Sequence, residues 1–109
     1  MSLARALREA AATGLRVELD DLGALHRHAL FAEYDPARAR IAVNARVVAA
    51  LRARCGDEFA RRFVAFAIWH ELQHHGAVTR DEGAAHAYAA ARSGERAATF
   101  EVALQALLA

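Results

Sequence analysis

The stretch Asp57-Glu58-Phe59-Ala60-Arg61-Arg62-Phe63-Val64-Ala65-Phe66-Ala67-Ile68-Trp69-His70-Glu71-Leu72-Gln73-His74-His75-Gly76 decides how this chain folds. Phe59, Phe63, Phe66 and Ala67, then His70 and His74, recur at helical intervals, while Val64, Ile68, Trp69 and Leu72 add apolar bulk on the other sides. A helix that is greasy nearly all round from Phe63 onward has to run through the middle of the domain. Gly56 or Asp57 starts it, and Gly76 fits its end. Near that end the chain reads His70-Glu71-Leu72-Gln73-His74, the His-Glu-x-x-His spacing. Imidazoles four positions apart project from one face about a turn from each other, so His70 and His74 can ligate a single ion. Glu71 is rotated from His70 by roughly 100 degrees, outside that coordination and well placed to hold a water beside the ion. The histidine pair falls on the last turn, where the chain can open into a cleft.

Upstream of this helix the periodicity changes. Ser2 can cap a first helix with Leu3, Leu7 and Ala10 or Ala11 as its inner stripe, ended by Gly14. Leu15-Arg16-Val17-Glu18-Leu19 then alternates as a strand with one buried face. Asp20 to His28 suits either a loop or a short helix, and the loop is preferred because the following stretch pairs better as a hairpin. In it Leu30, Ala32 and Tyr34 alternate with Phe31 and Glu33, Asp35-Pro36-Ala37 supplies the turn, and Ala39, Ile41 and Val43 form the return strand. Asn44 caps a helix whose inner face is Val47, Val48 and Leu51, stopped by Gly56. After the central helix, a helix from Thr79 to Ser93 is rich in alanines that permit close approach, and a last one, from about Glu95 to Leu108, carries Ala97, Phe100, Leu104 and Leu107 at core spacing. The expected fold is α+β: a three-stranded, mainly antiparallel sheet packed on the central active-site helix, with further helices around it.

Three groups can supply a third ligand. Glu82 is preferred, since a carboxylate completes a two-histidine, one-carboxylate set and leaves a position open. Thr79-x-x-Glu82 is also a capping box, in which the same carboxylate would turn back to the backbone. His86, one turn beyond Glu82, can ligate directly or support the carboxylate. His75 is rotated away and reads as a rim residue; His26 and His28 receive no role.

At 109 residues the chain is one domain, and 56% hydrophobic with 25% charged residues excludes a disordered one. A formal net charge of +1 gives no electrostatic reason to expect direct nucleic-acid binding, and Arg52, Arg54, Arg61 and Arg62 read as solvated charges. Cys55 is the single cysteine, so no internal disulfide forms; it reads as a buried small hydrophobe in a reducing compartment. Arg5, Arg8 and Glu9 interrupt the first apolar residues, which argues against a signal peptide or membrane span. The expectation is a soluble, cytoplasmic protein.

The segment from about Tyr34 to Ala91, roughly half the chain, resembles the ImmA/IrrE group of zinc metallopeptidases. The resemblance is carried by Ile41-Ala42-Val43-Asn44, by Arg61-Arg62-Phe63, by Ile68-Trp69-His70-Glu71-Leu72-Gln73-His74 and by Glu82-Gly83-Ala84-Ala85-His86-Ala87-Tyr88-Ala89. It implies a small zincin-like domain in which His70, His74 and Glu82 bind Zn2+ and Glu71 is the catalytic base. It also implies a protein or peptide substrate, with a transcriptional repressor as an example. Gln73 stands where the group usually has glycine, His86 where asparagine is common, and the interval from His74 to Glu82 is short. Members often carry a helix-turn-helix or sensor domain; this length has no room for one, so a separate regulatory partner or a homodimer is expected to supply specificity. A peptide would lie extended along the outer strand, bound through main-chain hydrogen bonds. Tyr88, His75 and His86 are the candidates to stabilise the oxyanion, with Tyr88 better suited to the core. Two other readings compete with a zinc endopeptidase: a catalytically inactive metal-binding module that binds a regulator without cutting it, and a helical domain whose histidine pair is incidental.

Overall fold

A 20-residue helix, Asp57–Gly76, forms the axis about which the other elements are placed. The computed structural model describes residues 3–25, 29–76 and 82–108. In chain order its elements are α1 (Leu3–Ala12), β1 (Arg16–Asp20), β2 (Ala32–Asp35), β3 (Arg40–Asn44), α2 (Ala45–Cys55), α3 (Asp57–Gly76), α4 (Glu82–Ser93) and α5 (Ala97–Leu108), with a 3-10 turn at Pro36–Arg38. The fold is α+β. Phe63, Phe66, Ile68 and Trp69 of α3 are almost completely buried, each removing enough apolar surface from water to contribute about 1.5–3 kcal/mol. Phe63 meets Phe31 edge-on at 5.1 Å on one side and Phe100 at 5.4 Å on the other. One side chain of α3 therefore ties the segment before β2 to α5.

The sheet has the order β1-β3-β2. β2 and β3 are consecutive arms of a hairpin and pair antiparallel, with Tyr34 opposite Ile41 and Ala32 opposite Val43. Asp35 holds the turn between them by accepting the backbone N–H of Arg38. β1 lies on the far side of β3 and runs parallel to it, Val17 opposite Ile41. Two chain reversals separate β1 from β3, which leaves them with the same sense, so the sheet is mixed rather than mainly antiparallel. Ile41, Ala42 and Val43 of the central strand are fully buried. The outer edge of β2 is left without a strand partner among the described residues.

Asn44 closes β3 and caps α2: its Oδ1 accepts the N–H of Arg46 at 3.1 Å, and its Nδ2 donates to the carbonyl of Leu30 at 2.7 Å. The expected inner face of α2 is observed, since Val47, Val48 and Leu51 are buried. Ala85 and Ala89, four apart and fully buried, let α4 pack closely on α3. Phe100 and Leu104 of α5 complete the core.

Three burial expectations are corrected. On α1 the inner residues are Ala6 and Ala10, and Leu7 is 41% exposed: small side chains admit the helix close to α3 and turn Leu7 outward. Leu19, expected on the buried face of the first strand, is 56% exposed near the end of β1. Cys55 is exposed, because the chain from Arg52 to Glu58 lies beyond the core edge that Leu51 defines. The short-helix alternative after Asp20 is absent over residues 21–25; His26 and His28 lie outside the described residues. Arg52 and Arg61 lie against Asp57, at 3.2 and 3.9 Å, and Arg62 against Glu95 at 2.6 Å. Among the described residues no helix is long and apolar enough to cross a membrane.

Candidate metal centre

The last turn of α3 and the first turn of α4 bring His70, His74 and Glu82 together. Nε2 of His70 lies 2.9 Å from one Glu82 carboxylate oxygen, Nε2 of His74 lies 3.0 Å from the other, and the two Nε2 atoms are 3.3 Å apart. A tetrahedral ion with bonds of about 2.0–2.2 Å needs donors separated by roughly 3.3–3.6 Å. The separation of the two Nε2 atoms matches that spacing, while the Glu82 carboxylate reaches each imidazole with a different oxygen at hydrogen-bond distance. Two imidazoles with one carboxylate are a donor set suited to Zn2+. The Glu82 carboxylate thus reaches the histidines. Thr79, its partner in the alternative capping box, lies outside the described residues.

Burial shifts the protonation of the groups in this cluster. His70 is 9% exposed, and desolvation holds its pKa below the ordinary imidazole value against the opposing pull of Glu82. The neutral imidazole that results is the form with a lone pair to give a metal. Glu71, 6% exposed, sits just outside the triangle, with a carboxylate oxygen 3.7 Å from Nε2 of His70. Burial first, and then the negative charge of Glu82, raise its pKa to about 7, opposed by the backbone N–H of Tyr34 that the carboxylate accepts. A carboxylate poised near neutrality and fixed by a main-chain donor has the properties of a general base.

These residues lie in a groove of about 1040 Å³ between the edge of β2 with its preceding residues and the faces of α4 and α5. His75 stands on its rim as expected, its Nδ1 sharing a 2.6 Å hydrogen bond with the Tyr34 hydroxyl. His86 also lines the groove, its ring 4.8 Å from that of His70. Two groups of donors here are close enough to hold an ion, His70 with Glu71 and His74, and His70 with Glu82 and His86, so Glu71 stands nearer the imidazole pair than its rotation round the helix implies. Tyr88 does not line the groove. It packs edge-on against Trp69 at 6.3 Å, with the Arg92 guanidinium 5.1 Å from its own ring.

The sequence did not single out Tyr34, Glu33 or Glu101 as site residues, although all three line the groove. Tyr34 reaches a histidine 41 positions away, and Glu101 stands on the last helix; no local spacing signals either. No protein family, curated protein or solved structure matches the chain.

Proposed function

We propose that this protein is a zinc-dependent endopeptidase of the zincin type, resembling the ImmA/IrrE group. The observation that carries the reading is the meeting of the His70 and His74 imidazoles with the Glu82 carboxylate beside a buried Glu71, next to an edge of β2 that has no strand partner among the described residues. Zn2+ held by His70, His74 and Glu82 would supply Lewis acidity, polarising the scissile carbonyl and acidifying the attacking water. Glu71 takes the proton from that water and returns it to the leaving amine. The substrate lies extended along β2, where main-chain groups other than the Tyr34 N–H, which Glu71 holds, bind it without regard to sequence. His75, held by Tyr34, and His86 are the side chains on the groove walls able to donate to the developing oxyanion.

The test is a pair of measurements on Glu71→Gln. The variant should retain one zinc per chain and lose peptide cleavage by about 100-fold or more; cleavage at the wild-type rate removes Glu71 as the base.

A specific observation favours one alternative, a metal-binding module that recognises a partner without cutting it. His86 forms with His70 and Glu82 a group of donors able to hold an ion, and a site that His86 and His74 both joined would be closed by four protein ligands with no vacant position. Under that reading His86→Ala weakens zinc binding strongly, and no peptide is cleaved by the wild-type protein.

A further inference from the structure

The groove carries a charge that the metal chemistry does not use. Four carboxylates line it, Glu33, Glu71, Glu82 and Glu101, and no arginine of the described residues does. The chain's 14 basic positions are all arginine, and those that form ion pairs do so elsewhere, such as Arg40 with Asp20 and Arg62 with Glu95. A bound dication would balance Glu71 and Glu82. Glu33, on the edge strand, and Glu101, on α5, remain, and neither has an ion-pair partner among the described residues. Both walls of the cleft thus hold an uncompensated carboxylate, one of them on the strand whose free edge suits an extended main chain.

We infer that the occupant of this groove is a cationic peptide segment, with arginine or lysine within a few residues of the site, selected by Glu33 and Glu101. The inference rests on the proposed peptidase reading and adds the substrate class. Electrostatic complementarity of this kind selects among partners and speeds their encounter, while main-chain pairing to β2 supplies affinity that does not depend on sequence.

The test uses the full-length, zinc-loaded Glu71→Gln protein and three labelled decapeptides identical except that the flanking positions are arginine, glutamine or glutamate. Fluorescence anisotropy should show the arginine peptide binding about tenfold more tightly than the glutamine peptide at low salt, the glutamate peptide more weakly still, and the preference shrinking in concentrated salt. Adding Glu33→Gln and Glu101→Gln together should remove the preference while zinc content and circular dichroism stay unchanged. Equal binding of the three peptides, binding of none, or a preference that survives the double substitution overturns the inference. Incubation of the same peptides with wild-type protein separates the two readings. Cleavage without regard to charge leaves the peptidase and ends the cationic preference, whereas charge-selective binding with no cleavage ends the peptidase and leaves the groove's selectivity.

Discussion

Glu71 carries the sharpest consequence at the scale of the single residue. Its folded-state pKa, about 7, lies above the ordinary 4.5, so the folded metal-free protein holds a proton that the unfolded chain has released. The stability contributed by the protonated carboxyl is present in full below about pH 4.5 and is lost as pH rises through 7. Metal-free Glu71→Gln, which keeps an acceptor for the Tyr34 N–H and cannot ionise, should escape that loss. Its stability relative to wild type should grow between pH 5 and 8 by up to about 3 kcal/mol, measured by urea denaturation in chelator. A difference that stays flat with pH would mean that burial does not hold the carboxyl protonated. His70 responds in the opposite sense, its depressed pKa disfavouring the fold only in acid, and the comparison at residue 71 isolates the carboxyl.

Among the elements, the joint between β3 and α2 positions one wall of the groove. Asn44 is completely buried, caps α2 through Oδ1 and holds Leu30 through Nδ2, while its backbone N–H donates to the carbonyl of Phe31 at 2.8 Å. Asn44→Ala removes the cap and strands the Leu30 carbonyl, for an expected loss of about 2–3 kcal/mol seen as a lower denaturation midpoint. Phe63→Ala should cost more, about 3–5 kcal/mol, because it opens a cavity where Phe31 and Phe100 both pack. These elements were legible in the chain because capping and periodicity are local: Asn44, Val47 and Leu51 announce a helix start and its inner face within eight residues. The sense of β1 was not, since alternation reads the same in a parallel and an antiparallel neighbour. Leu7 and Cys55 were misplaced for a related reason, as periodicity names a face without saying where the core ends.

For the whole molecule, a bound ion would be a cross-link between α3 and α4, two helices otherwise joined by buried alanines and by ring contacts such as Tyr88 on Trp69 and His86 beside His70. Anything that binds only the folded state stabilises it by mass action, roughly 4 kcal/mol at a thousand times the dissociation constant. Zinc should therefore raise the melting temperature by roughly 15 °C or more, chelation should reverse the rise, and Glu82→Ala should remove most of it. A Glu82→Ala protein that keeps the full zinc increment would exclude Glu82 as a ligand. The sequence by itself determined the central helix, the hairpin, the flanking helices and the histidine pair, because each depends on spacings shorter than two or three turns. Only the tertiary structure decided that β1 runs parallel to β3, that the Glu82 carboxylate turns toward both imidazoles, and that Glu33 and Glu101 face one cleft from opposite walls. Those facts join residues 8 to 68 positions apart across separate elements, and how such elements meet is set by the packing of apolar surfaces rather than by any local pattern.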